Sequence, residues 1–424
     1  MAIKSKYHAV RGMTGSLPKE NLLWRTIEDD LIQILSSYSF QEIRLPIIEY
    51  SGIFNRSIGE SSDIVQKEMY SFTDRNGESL TLRPEGTAGC VRAAIENNLL
   101  STSAPLRLWY HGPMFRYERP QRGRQRQFHQ IGLEIFGADS VLAETELMVI
   151  FSRFWSSLGI SDITLQINSL GNQEDRQAYI KVLTDFFSNH SSKLSEHNLQ
   201  KLRSNPLRIL DSKDPEIIKL ISDAPTLDNF ISDEARARFT DFKNLLSMVG
   251  INFKENNKLV RGLDYYSDIV FEWTTESLGA QNAVCAGGRY DDLIGQLGGK
   301  HTSAVGCAVG LERVVELCEQ KESLKTTKMP KLFVLSTDAQ YSKELLVLCE
   351  KLRDMYPKIC FELDISERSL KSKMKKADKS EAEAAIIIGQ QEIEEGTLTV
   401  RPLRNSRAQK SCNMSELEDF LKGS

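Results

Sequence analysis

A chain of 424 residues is longer than one hydrophobic core supports and points to about three domains. With 40% hydrophobic and 26% charged residues it reads as an ordinary globular protein, and no apolar run approaches the roughly 18 residues of a membrane span. A net charge of −4 names no partner, so any charged ligand must be met by local charge. The seven cysteines are scattered without CxxC spacing, and the six histidines form no metal-ligand pattern. A disulfide frame and a zinc site are therefore not expected, and reduced thiols point to the cytoplasm. The opening residues MAIKSKYHAVRG lack the apolar core of a signal peptide.

In chain order, residues 18–38 place Leu23, Ile27, Leu31, Ile34 and Tyr38 at helical spacing, with Pro18 in the first turn. The run FQEIRLPIIEY follows as a strand that Pro46 confines to an edge or an interface. Residues 106–136 read as strand, charged loop, strand. Between about 168 and 258 the chain turns polar and helical, as an insertion into a strand-rich core would. Residues 259–273, rich in β-branched and aromatic side chains, read as a further strand or hairpin. Residues 303–319 start as a small-residue strand and continue past Gly310 as a helix. After a lysine-rich linker, the strands KLFVLS, KICFELDI and AAIIIG alternate with helical stretches, which is the pattern of an α/β domain with a largely parallel sheet.

Strand side chains alternate between faces, so in QFHQIGLEIF one face carries Phe128, Gln130, Gly132, Glu134 and Phe136. A lone polar face of this kind is usually solvated. Here it recurs: Arg116 and Glu118 share a face of the preceding strand, Arg261 stands beside Tyr265 and Tyr266, and Gly287 and Gly288 lead into Arg289 and Tyr290. Several such strands suggest an antiparallel sheet forming the floor of a polar ligand site. The stretch RYERPQRGRQRQFHQ sets five arginines against one acid, Glu118.

These residues carry a resemblance. MFRYERPQRGRQRQFHQIGLEIFG resembles motif 2 of class II aminoacyl-tRNA synthetases in its histidyl form, and GCAVGLERVV resembles motif 3. The helix and the Pro46 segment resemble motif 1. LVRGLDYYS and AGGRYDDL resemble the two short motifs of the histidyl-tRNA synthetase family, and TLRPEGTAG its substrate loop. The likeness spans nearly the whole chain and is weakest over 168–258. It implies an α+β catalytic domain on an antiparallel sheet over residues 1–325, interrupted by the helical insertion, and an anticodon-binding α/β domain over 330–424.

The reaction implied joins L-histidine to ATP, releases pyrophosphate, and passes the histidyl group to tRNA(His). By resemblance Arg116 and Arg313 hold the α- and γ-phosphates, Arg261 adds a cation near the reacting carboxylate, and Glu118 with Mg2+ orients ATP. Glu85, Thr87 and Gln130 accept from the α-ammonium. A neutral imidazole has one donor and one acceptor nitrogen, so its site needs an acceptor and a donor held apart. Glu134 is the expected acceptor and a tyrosine hydroxyl, by resemblance Tyr266, the donor, with Tyr265 and Tyr290 beside them. Neighbouring strand residues point to opposite faces, so one of Tyr265 and Tyr266 is expected to be ordinary packing. Arg119, Gln121, Arg122 and Arg124, with Arg126, lie in the loop that would meet the acceptor end of tRNA. No protein-only metal site is assigned, and a homodimer through the Pro46 segment is expected. Residues 330–424 carry 16 basic and 16 acidic side chains, and the basic runs RSLKSKMKK and RPLRNSRAQK read as solvated faces. Two rivals stand beside this reading: a non-catalytic synthetase-like regulatory subunit of histidine biosynthesis, and a binding-only RNA module.

Overall fold

A computed structural model describes residues 7–60, 62–101, 105–121, 123–210, 212, 214–279, 282–321 and 329–417. The chain divides into two compact units, Met1–Thr326 and Thr327–Ser424.

The first unit contains, in chain order, β1 (Gln41–Glu42), β2 (Ile48–Tyr50), β3 (Tyr70–Thr73), β4 (Ser79–Leu82), β5 (Leu106–Phe115), β6 (Gln127–Phe136), β7 (Thr164–Ser169), β8 (Phe253–Glu255), β9 (Ser267–Thr274), β10 (Ala283–Arg289) and β11 (Ala304–Gly310). Eight of them form one sheet in the order β1-β5-β6-β11-β10-β9-β7-β8. Its six central strands are antiparallel, and short β1 and β8 add in parallel at the edges. The other three strands make a separate small sheet, β2-β4-β3.

Strand alternation decides which face of the large sheet is apolar. Ile131, Leu133 and Ile135 of β6 enter a core shared with Val305, Cys307 and Val309 of β11 and with Phe271 and Trp273 of β9. Helices Asn21–Ser37, Leu142–Ser157, Asp233–Met248 and Leu311–Lys321 supply the facing layer. Helix Asn21–Ser37 buries Ile27, Leu31 and Leu35, spaced four apart on one stripe. With this face closed by four helices, Gln130, Gly132 and Glu134 are turned to the other side.

The run expected as a single Pro46 strand is two pieces. Its first residues pair with β5 as β1, and its last join the small sheet as β2. Pro46 lies between them because it has no N–H to give a ladder. The strand expected to hold Arg116 and Glu118 ends at Phe115. Residues 259–266 are likewise not strand, since β9 begins at Ser267. There the amide of Asp264 donates to the carbonyl of Ile58, 3.2 Å away, instead of to a neighbouring strand.

Four helices run between β7 and β8: Gln173–Asn189, Glu196–Ser204, Pro215–Ser222 and Asp233–Met248. The last belongs to the main core, where Phe242 and Leu246 are buried. The first three gather around Tyr179, Leu183, Phe187, Ile209 and Ile217.

The second unit contains β12 (Lys331–Ser336), β13 (Cys360–Leu363), β14 (Ala384–Ile388), β15 (Leu398–Pro402) and β16 (Lys410–Cys412), ordered β13-β12-β14-β15-β16. The first three in that order run parallel, and β15 and β16 add in antiparallel fashion. The basic run RSLKSKMKK is not simply a solvated face. In helix Leu370–Lys379, Lys373 is buried and its Nζ donates to the carbonyl and hydroxyl of Ser336 at 3.2 and 3.1 Å.

Candidate active site

The polar face of the large sheet floors a cavity of about 180 Å³. Of the residues singled out in the sequence, Glu85, Thr87, Arg116, Glu118, Arg124, Gln130, Arg261, Tyr265, Tyr266 and Arg313 line it. Glu134 and Tyr290 do not reach its wall. They lie one layer deeper, fully buried. Arg119 and Gln121 are exposed outside the cavity, and Arg122 falls outside the described residues.

Three hydroxyls converge on Glu134. Thr87 Oγ1 donates to Oε1 at 2.8 Å, Tyr110 Oη to the same oxygen at 3.1 Å, and Tyr290 Oη to Oε2. The backbone yields to this cluster at two glycines. A Cβ on Gly306 would lie 1.6 Å from Glu134 Oε2, and one on Gly132 would lie 2.1 Å from the ring of Tyr110. Tyr110 is the residue the sequence reading missed. It pairs with Gly132 across the β5–β6 ladder, and a glycine between Gln130 and Glu134 is the signal that a large side chain lies over it.

Three further features complete this end. Glu85 accepts from the amides of Thr87 and Ala88 at 2.6 and 3.0 Å, where helix Thr87–Glu96 begins. Gln130 Oε1 is buried and has no hydrogen-bond partner among the described residues, so it is an acceptor open to a ligand donor. Tyr265 and Tyr266 both stand on the cavity wall with ring centroids 4.6 Å apart, and Tyr265 is 5.6 Å from Tyr290. The expected split onto opposite faces fails because these residues precede the strand and strand alternation does not apply to them.

Arginines gather at the other end. Arg116 donates from Nε to the carbonyl of Pro84 at 2.9 Å and lies over the Phe128 ring at 5.3 Å. Arg313, in the first turn of helix Leu311–Lys321, donates to the carbonyls of Gly123 and Ala283. It thereby ties the hairpin tip to β10. Arg124 pairs with the buried carboxylate of Glu118, and Arg261 pairs with Glu272 at 3.0 Å. The hairpin tip closes through reciprocal bonds between Gln121 and Arg124, and its base is braced by Gly12, whose carbonyl accepts from Arg126 and Gln127. Burial lowers the pKa of Arg313, and the like charges of Arg124 and Arg116 lower it further. Burial also lowers that of Arg116, with Arg261 adding to the effect. Four guanidiniums thus converge on one cavity, offset in part by Glu118, Glu272, Glu68 and Glu85, a setting suited to a polyanion. Arg289 takes no part. It is buried elsewhere in a two-pronged pair with Glu144, at 2.7 and 2.9 Å.

Burial pushes the Glu134 carboxyl up to about 8, although its bonds from Tyr290, Thr87 and Tyr110 favour the ionised form. Between the ordinary carboxylate range and about 8, the folded protein holds a proton that the unfolded chain releases. Stability from this group therefore falls as pH rises through that window. Denaturant unfolding of the native protein and of Glu134→Gln from pH 5 to 8 should show the native protein losing stability faster, by up to roughly 1.4 kcal/mol per pH unit. Parallel curves would contradict the protonated carboxyl.

Comparison with known proteins places the whole chain. A family model described as histidyl-tRNA synthetase matches residues 12–314, and one described as an anticodon binding domain matches residues 331–424. A histidine–tRNA ligase of Francisella philomiragia subsp. philomiragia is 45% identical over 420 residues, covering 98% of this chain and 99% of that protein. One of Vesicomyosocius okutanii is 44% identical, covering 99% of each. The crystal structure of apo S. aureus histidyl-tRNA synthetase superposes with a TM-score of 0.81 at 30% identity, over 98% of this chain and 100% of that one. By sequence over its full length, and by a fold whose polar face holds the arginine cavity, the chain belongs to the histidyl-tRNA synthetase family.

Proposed function

We propose that the cavity carries out both steps of a histidine–tRNA ligase, with its arginine end for the triphosphate and its hydroxyl end for histidine. The convergence of Arg116, Arg124, Arg261 and Arg313 on the wall of one cavity carries this reading, because fixed cations at one end of a polar cavity are what a triphosphate needs. An oxygen of the histidine carboxylate attacks the α-phosphorus of ATP, the bond to pyrophosphate breaks, and histidyl-adenylate forms. The terminal ribose hydroxyl of tRNA(His) then attacks the carbonyl, and AMP leaves.

Arg116 grips the α-phosphate through its fork, and Arg313 holds the γ-phosphate from the helix start. Arg261 meets the charge that builds as phosphorus becomes five-coordinate. Gln130 Oε1, Glu85 and Thr87 take the α-ammonium. Because Tyr110 gives its proton to Glu134, its lone pairs are left for the imidazole N–H, backed by a carboxyl one bond away. Tyr266 supplies the donor for the other nitrogen, with Tyr265 and Tyr290 packed against it.

A magnesium ion would come with the nucleotide, and Glu118 would help hold it. Such an ion neutralises phosphate charge when bound. Arg119, Gln121 and Arg124, with Arg122, are the residues assigned to the acceptor end of tRNA, and residues 331–424 read the anticodon. Among the described residues no cysteine is joined in a disulfide, and no helix is long and apolar enough to cross a membrane; the cytoplasm is the compartment proposed.

A homodimer completes the proposal. Ile48 and Tyr50 of β2, Phe72 of β3 and the adjacent Ile47 expose apolar side chains around the small sheet, beside Pro46. Light scattering should give twice the chain mass, and Ile48→Asp should halve it. A fully active monomer would refute the dimer.

The regulatory-subunit reading is disfavoured by the retention of Arg116, Arg261 and Arg313 in one cavity and by the match of residues 331–424. Both rivals predict no histidine-dependent exchange of pyrophosphate into ATP, and the present reading predicts it. Arg261→Ala should slow adenylate formation about 10²–10³-fold, with the KM for ATP nearly unchanged. Arg261→Lys should fall between, because it keeps the charge and loses the planar fork. Normal exchange in the Ala variant would remove Arg261 from the chemistry.

A further inference from the structure

The segment 260–266, between β8 and β9, carries Arg261, Tyr265 and Tyr266 into the cavity, yet it is neither strand nor helix. What fixes it is therefore tertiary contact, and part of that comes from the inserted helices. Arg176, in the first turn of helix Gln173–Asn189, donates from Nη1 to the backbone carbonyl of Tyr266. Asn205, just after helix Glu196–Ser204, donates from Nδ2 to Asp264 Oδ1 at 2.9 Å. Where the chain enters the insertion, the amide of Leu170 donates to the carbonyl of Asp268 at 2.6 Å, and the amide of Asp268 donates to the carbonyl of Gly171 at 3.0 Å.

The tethers themselves are anchored. A capping box between Asn172 and Asp175 fixes the start of Arg176's helix. Asp175 in turn accepts from Ser232 Oγ at 2.9 Å. Asn205 holds its own turn by accepting from the amide of Leu207 at 3.2 Å. Behind the segment lies a second cavity of about 310 Å³, with Leu170, Ile180, Leu207 and Leu263 on its walls. Arg261 and Tyr266 line both cavities. The segment is thus a partition with space on each side, held in register by two side chains from the insertion.

We propose that Arg176 and Asn205 are positioning residues which set the Tyr266 hydroxyl and the Arg261 guanidinium, coupling the inserted helices to histidine binding. The inference rests on the assignment of Tyr266 to the imidazole. Histidine, by ordering the partition from one side, steadies the inserted helices on the other, and the coupling is reciprocal. A tRNA that touched those helices would reach the histidine site by the same route.

The test uses the full-length enzyme in histidine-dependent pyrophosphate exchange. Loss of a charge-assisted bond should raise the KM for histidine about tenfold or more in Arg176→Ala, with the KM for ATP changing less than about twofold. Arg176→Lys should recover part of the loss. Asn205→Asp keeps the oxygen that caps Leu207 but sets a second carboxylate against Asp264, so it should raise the histidine KM in the same selective way with melting little changed. Tyr266→Phe is the reference. If it raises the histidine KM while the Arg176 and Asn205 variants leave it unchanged, the coupling falls and the site assignment stands. If Tyr266→Phe also has no effect, the assignment falls and takes the coupling with it. A measurement on the unmutated enzyme avoids any folding defect: L-histidine should slow amide hydrogen exchange in helix Gln173–Asn189. No change there on saturation with L-histidine would overturn the proposal.

Discussion

The two-residue period of β6 constrains the rest of the molecule. Ile131, Leu133 and Ile135 are locked into the four-helix layer, so the intervening Gln130, Gly132 and Glu134 have to face the other side. A slip of one residue against β5 or β11 would drive a carboxyl into the apolar core and expose three branched side chains. The hydrophobic face thus fixes the register of the functional face. Its antiparallel neighbours then bring Tyr110 over Gly132 and Gly306 under Glu134, the two close approaches that leave room for the hydroxyl cluster.

Upon that floor the two ends of the cavity solve opposite electrostatic problems. At one end a carboxyl is buried so deeply that it keeps its proton near neutral pH, and three hydroxyls bond to it. At the other, guanidiniums stay charged at close quarters, with Glu118 and Glu272 as partial counterweights. A neutral ring that hydrogen-bonds suits the first end, and a triphosphate suits the second. A ligand that joins an imidazole to a carboxylate can span between them and place its carboxylate where the positive field is strongest.

The sequence made the β6 face legible because alternation is visible in ten residues of one strand. It made the arginine hairpin legible because five arginines against one acid is a local excess. Alternation failed wherever the backbone was not strand. Arg116 and Glu118 lie beyond the end of β5, and Tyr265 and Tyr266 share a wall because segment 260–266 is shaped by Ile58, Arg176 and Asn205, residues distant in the chain. The depth of Glu134 behind Tyr110 and Thr87 was also hidden, since it depends on which side chain crosses a glycine on the neighbouring strand. The helical insertion was visible as a change in composition, while the burial of Phe242 and Leu246 in the main core was not.

The central claim is that the two ends of one cavity are chemically separate, histidine being read at the Glu134 end and ATP at the arginine end. Steady-state pyrophosphate exchange with Glu134→Ala, varying histidine and ATP in turn, tests it most directly. Removing the carboxyl leaves the buried hydroxyls of Thr87, Tyr110 and Tyr290 without their acceptor, at a cost of about 1–3 kcal/mol to the histidine site. The KM for histidine should rise roughly 5- to 150-fold while that for ATP changes less than about twofold. Equal changes in both, or a rise confined to ATP, would contradict the division of the cavity.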